Sequence, residues 1–132
     1  MENHKAFEIE IVNGIAVIQL ESHLSNYQGE EFLSAVKDLS RVLTGAEISS
    51  VLIDFSRVQY FGSSVLEGLR LLWKELGAGN RQIFLCELSE VCEQIVRLSH
   101  FDHVWTIYPT RKMAIAALDM AKGTIELPRK PR

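Results

Sequence analysis

The sequence predicts an α/β fold: a mixed sheet of about five strands with four helices, in the order β-β-α-β-α-β-α-β-α. Three observations predict it. A hairpin pattern opens the chain. Two short, unbroken apolar runs lie further on. Segments of helical periodicity separate them.

The hairpin is Phe7-Glu-Ile-Glu-Ile-Val12, Asn13-Gly14 and Ile15-Ala-Val-Ile-Gln-Leu20. The first segment alternates apolar and acidic residues, as a half-buried strand does, and Asn-Gly is the strongest two-residue hairpin signal. Glu21 to Asn26 is polar and turn-rich. A helix is predicted from about Tyr27 to Leu43, with Phe32, Val36, Leu39 and Leu43 on one stripe and Thr44-Gly45 closing it.

Val51-Leu-Ile53, ending at Asp54, and Ile83-Phe-Leu-Cys86 lack alternation, which predicts strands buried on both faces. Between them Val65, Leu69, Leu72 and Leu76 mark a second helix, widened by Leu66 and Trp73 and stopped at Gly77-Ala-Gly-Asn80. Ser89 caps a third helix, with Val91, Ile95 and Leu98 as its expected inner face. Val104 to Tyr108 is the last predicted strand, and Thr110 caps a fourth helix carrying Ala114, Ala117, Leu118 and Ala121. Residues 1–122 read as one domain and residues 123–132 as a basic, proline-bearing tail.

Composition excludes several function classes. The 132 residues carry a formal net charge of −3, which gives no overall pull toward nucleic acid or anionic lipid. No apolar run is long enough to span a bilayer, and the polar start Met1-Glu-Asn-His-Lys5 has no h-region, so neither membrane insertion nor a signal peptide is expected. Cys86 and Cys92 lie in apolar stretches and read as buried, reduced thiols of a cytoplasmic protein.

The segment that can carry function runs strand, loop, helix: Val51-Leu-Ile-Asp-Phe-Ser-Arg-Val-Gln-Tyr-Phe-Gly-Ser-Ser-Val-Leu-Glu-Gly-Leu69. Ser63 and Ser64 stand where the second helix starts. A serine there serves as an N-cap, worth about 1 kcal/mol. A helix start also tolerates an anion, so phosphate on Ser63 is compatible with the fold.

This run resembles the signature of the STAS domain, the anti-sigma factor antagonist family: an apolar strand ending in Asp, a loop, and Asp-Ser-Ser-Gly-Leu opening a helix. The opening hairpin, the helix before Val51, and Trp105-Thr-Ile-Tyr-Pro-Thr110 with its alanine-rich last helix are similar too. The resemblance covers roughly Phe7 to Leu118. It implies a non-catalytic partner-switching regulator. An anti-sigma factor that is also a serine kinase would bind the edge around Ser63 and phosphorylate Ser63, and a phosphatase would reverse the modification. Asp54, Tyr60, Phe61, Gly62, Ser64 and Val65 would complete the partner-binding edge. Gly62 stands where the family has Asp, and Val65 where it has Gly. The resemblance also admits a STAS subunit of a larger signalling complex or of a lipid-transport system, working without phosphorylation.

Asp54 at the end of a central strand also resembles the phospho-acceptor of a receiver domain. That chemistry needs magnesium and an acidic pair after the first strand, where Asn13-Gly14 stands here. Asp54 reads instead as a loop-organising acceptor of backbone N–H groups. Gly62-Ser63-Ser64-Val65 is not a nucleophile elbow, and no Walker-type glycine loop is present. His100-Phe-Asp-His103 has no second ligand cluster, so no metal and no cofactor are expected.

Overall fold

The computed structural model describes residues 7–22, 29–77 and 82–123. His4, His23, residues 78–81 and residues 124–132 lie outside them. The strands are β1 (Phe7–Val12), β2 (Ile15–Leu20), β3 (Ser50–Asp54), β4 (Gln82–Cys86) and β5 (Thr106–Tyr108). The helices are α1 (Gly29–Thr44), α2 (Ser63–Gly77), α3 (Glu90–Leu98) and α4 (Arg111–Gly123), with a 3₁₀ turn at Phe101–His103. Tyr27 and Gln28, where the first helix was expected to begin, are outside the described residues.

The five strands lie side by side in chain order. β1 and β2 pair antiparallel, with Val12 opposite Ile15. Asn13 and Gly14 have φ of 52° and 81°, the left-handed pair that a two-residue hairpin turn requires. The other three pairings are parallel. Each needs a crossover, and α1, α2 and α3 supply them.

Both faces of the central strands are covered. On one face Ala16, Ile18, Val51, Ile53, Ile83 and Leu85 meet the inner stripes of α1 and α2 and two residues of α3. On the other, Ile15, Val17, Leu52, Phe84 and Cys86 meet Ala114 and Leu118 of α4. The unbroken apolar runs of β3 and β4 follow from this double burial. At the crossing of α1 and α2, a side chain at Gly68 would overlap the ring of Phe32. Glycine is required there by close approach, not by backbone conformation.

Two expectations are corrected. The inner face of α3 is Cys92 and Val96, whereas Val91 is exposed, Ile95 half-buried and Leu98 79% exposed. The two apolar stripes lie about 100° apart on the helix, and periodicity alone does not choose between them. The last strand starts at Thr106, because Val104 and Trp105 bond back to Phe101 O and close the 3₁₀ turn. The first helix ends at Thr44-Gly45 as expected, and Gly45 does so without a positive φ. The predicted caps of α3 and α4 are present: Ser89 Oγ accepts from Cys92 N–H, and Thr110 Oγ1 from Met113 N–H.

Candidate functional site

The candidate site grows from the C-terminal end of β3. Asp54 is only 2% exposed and faces the α4 side of the sheet. Its Oδ1 accepts the backbone N–H of Ser56 at 2.7 Å, which turns the chain out of the strand. Val58 N–H then bonds Phe55 O at 2.9 Å. Gln19 Nε2 donates to Ser56 Oγ at 2.7 Å and to Asp54 Oδ1 at 3.3 Å. Arg57 is paired to Glu21 at 3.0 Å.

The loop is anchored on its other side by α3. Ser89 Oγ donates to Gln59 O at 2.9 Å while capping its own helix. The thiol of Cys92 lies 3.7 Å from Val58 O. Phe55 and Phe61 pack against each other with ring centroids 5.6 Å apart, both within the core. Residues 54–61 are therefore fixed from several directions, and the start of α2 is set upon them.

Gly62 occupies the N-cap, its carbonyl accepting from Leu66 N–H at 3.3 Å. Ser63 is the first helical residue. This corrects its reading as a cap: its hydroxyl is exposed and has no hydrogen bond among the described residues. The first turn of α2 carries no acidic residue, whereas α1 begins with Glu30 and Glu31 and α3 with Glu90 and Glu93. The partial positive charge of this helix start is uncompensated within its own turn.

Of the residues expected at a partner-facing edge, the structure brings Tyr60, Gly62, Ser63 and Ser64 to the surface; Tyr60 is 62% exposed and Ser64 half-buried. Asp54, Phe61 and Val65 lie beneath it. Val65 points into the α1–α2 core, so its extra bulk is not presented outward. A side chain at Gly62 would meet nothing within 4 Å, and its φ is ordinary. The site therefore differs from the family signature there by a missing carboxylate and not by a lack of room.

Sequence reasoning missed Arg111. Its Nε donates to Asp54 Oδ2 at 2.7 Å, and its backbone N–H donates to Glu87 Oε2 at 2.7 Å. Glu10 and Gln19 approach the same guanidinium at 3.5 Å. Burial works against the Arg111 charge, but the hydrogen bond and charge of Asp54 outweigh it and raise its pKa. Cys86, beneath this cluster, is pushed up to about 12 by burial, reinforced by Asp54 and Glu87 against an opposing pull from Arg111. Asp54 is thus a buried structural carboxylate, which opposes its use as a receiver-type phospho-acceptor. Among the described residues no group of three or more His, Cys, Asp and Glu could hold a metal ion, and no helix is long and apolar enough to cross a membrane.

Comparison with known proteins places this geometry. The STAS domain family matches residues 6–114. No curated protein matches the chain. Among solved structures, an anti-sigma-factor antagonist (STAS) domain protein from Planctomyces limnophilus is 26% identical, with a TM-score of 0.73 over 86% of this chain and 97% of that one. SpoIIAA, an anti-sigma factor antagonist, is 19% identical both in its unphosphorylated form (TM-score 0.69, 89% of this chain and 97% of that one) and in the phosphorylated form of the Bacillus protein (TM-score 0.61, 86% and 99%). SLC26A9 matches at 16% identity and a TM-score of 0.58, over 87% of this chain and 21% of its own. The strand order, the four helices and the family match agree, and the chain belongs to the STAS domain family.

Proposed function

We propose that the chain is a non-catalytic, cytoplasmic partner-switching regulator of the anti-sigma factor antagonist type. Its partner is a kinase-type anti-sigma factor, which binds the exposed edge formed by Tyr60, Gly62, Ser63 and Ser64. Phosphorylation of Ser63 releases that partner, and a phosphatase restores binding. The observation that carries this reading is the Ser63 hydroxyl: exposed, free of hydrogen bonds among the described residues, and held at the start of α2 above an anchored loop. SpoIIAA, which shares the fold, is known in a phosphorylated and an unphosphorylated form.

The outer stripe of α3 extends the edge. Ser89 ties the start of α3 to Gln59, next to Tyr60, and the exposed Val91 and Leu98 supply the apolar surface that a stable complex desolvates. The test is co-purification from the source cell followed by phosphopeptide mapping of both partners. A bound kinase that places phosphate on Ser63 supports the switch. Tight binding with no phosphate on Ser63 or Ser64 excludes it.

Gly62 favours a second reading. Without the family's carboxylate beside the acceptor serine, the same edge can serve a constitutive interaction, as a STAS subunit of a larger signalling complex or of a lipid-transport system. The same mapping experiment separates the two.

A further inference from the structure

The surface around the C-terminal half of α2 carries a groove that the Ser63 edge does not use. Three hollows adjoin there and share lining residues. The first, about 280 Å³, lies among Trp73, Ile83, Phe84, Val104 and Thr106. The second, about 290 Å³, is lined by Arg70, Trp73, Lys74 and Gly77. The third, about 170 Å³, is reached across Arg70 and Lys74 and is bounded by Leu33, Glu67 and Leu71.

Two features give the groove a chemistry. Arg70 and Lys74 are exposed and have no ion pair or hydrogen bond among the described residues, unlike Arg41, Arg57, Arg97 and Arg111. Trp73, the wall between the first two hollows, is 37% exposed and braced from behind. It stands edge-to-face on the buried Trp105 at 6.4 Å, and Trp105 is stacked on Phe101 at 4.5 Å. A braced indole beside two cations presents an apolar platform bordered by positive charge at little cost in side-chain ordering.

We propose that this groove binds a short, extended acidic peptide segment of a partner protein. An apolar side chain of the peptide seats beside Trp73 and its carboxylates meet Arg70 and Lys74. The shape favours a peptide over a small molecule, since three shallow adjoining hollows are not one enclosing chamber. The distance from Glu67 to Gly77 is about 15 Å along the helix, which an extended chain covers in about five residues. Two cations in a chain of net charge −3 do not make the basic stripe that nucleic acid requires. Glu67 sets the register by repelling acid at the α1 end. Arg70, Trp73 and Lys74 lie about 10 to 16 Å along α2 from Ser63, so they can be occupied while a partner holds the Ser63 edge.

The experiment is selection of random twelve-residue peptides on the full chain, followed by titration of the selected peptides while following tryptophan emission. The expected sequences have net negative charge around an aromatic or aliphatic residue. Their binding should shift the emission of Trp73 and weaken at least tenfold in Arg70→Glu/Lys74→Glu, whose circular dichroism should match the parent. It should be unchanged in Tyr60→Ala and Ser63→Asp, which separates this groove from the proposed switching edge. Absence of selection, neutral or basic sequences, or acidic peptides insensitive to the double variant would each overturn the proposal. So would binding lost in Tyr60→Ala instead, a self-association abolished by the double variant, or oligothymidylate binding abolished by it.

Discussion

Arg111, the first residue of α4, donates its Nε to Oδ2 of Asp54, the last residue of β3, at 2.7 Å. The pair joins the helix on one face of the sheet to the strand end from which the Ser63 loop departs. Asp54 also holds Ser56, so the two hydrogen bonds form one chain from α4 to that loop.

Arg111→Ala leaves a buried carboxylate without its cation. Such losses cost about 3–5 kcal/mol when both partners are buried. Arg111 keeps 30% of its side-chain exposure, so a cost at or below the lower end is expected, read from denaturant melts. Acetyl phosphate with magnesium should leave Asp54 unlabelled. Stoichiometric labelling there would revive the receiver reading.

The α2 helix separates core from site along a few residues. Leu69→Ala should cost about 2–5 kcal/mol, as truncation of a buried leucine does. Gly68→Ala should cost about 1–3 kcal/mol, because the added methyl overlaps Phe32. Ser63→Ala should stay within about 0.5 kcal/mol, since no cap is lost. A larger loss at Ser63 than at Leu69 would contradict the placement of this helix.

On α3, Leu98→Asp should change stability by no more than about 0.5 kcal/mol, whereas Val96→Asp should unfold the chain. If the outer stripe belongs to the partner-binding edge, Leu98→Asp weakens the complex while leaving circular dichroism and melting unchanged.

Ser63→Asp should keep the native fold and weaken partner binding, while Ser63→Ala should still bind. Gly62→Asp fits without steric conflict and puts a carboxylate at the N-cap of α2. A gain of a few tenths of a kcal/mol up to about 1 kcal/mol is expected. If the missing carboxylate is what limits modification, Gly62→Asp also raises the yield of phosphate on Ser63 by the cognate kinase, measured by mass spectrometry.

Cys86 gives a pH signature. Its thiol ionises near the ordinary value of 9.0 when unfolded and at about 12 when folded. The raised folded value means that its contribution to stability is whole below pH 9 and is lost as pH rises toward 12. The parent protein should lose stability over that range more steeply than Cys86→Ala. At pH 8 Cys86 and Cys92 should both resist alkylation until the chain is unfolded, because burial raises both thiols.

Much of this architecture was legible locally. Asn13-Gly14 dictates its own turn, and the unbroken run Val51–Ile53 reports burial on two faces. The caps at Ser89 and Thr110 are set by residues three apart. The face of α3 was not legible, because Val91/Ile95/Leu98 and Cys92/Val96 are both apolar stripes and only the position of Val58 and the sheet decides between them. Arg111 and Asp54 are 57 positions apart, and no periodicity links a helix start to a distant strand end. Ser63 was found through its neighbourhood. Its freedom from the cap became visible only when Gly62 proved to hold that place.

The two faces of the sheet are unequally clothed. Three helices share one core, while among the described residues α4 alone covers the other, through Ala114 and Leu118. Amide protons along α4 should therefore exchange with solvent through a partial opening that leaves β3, α1 and α2 protected, with Arg111 and Asp54 as its fastening. The protein then has two levels of cooperativity, a detachable flap and a remainder that melts as one unit.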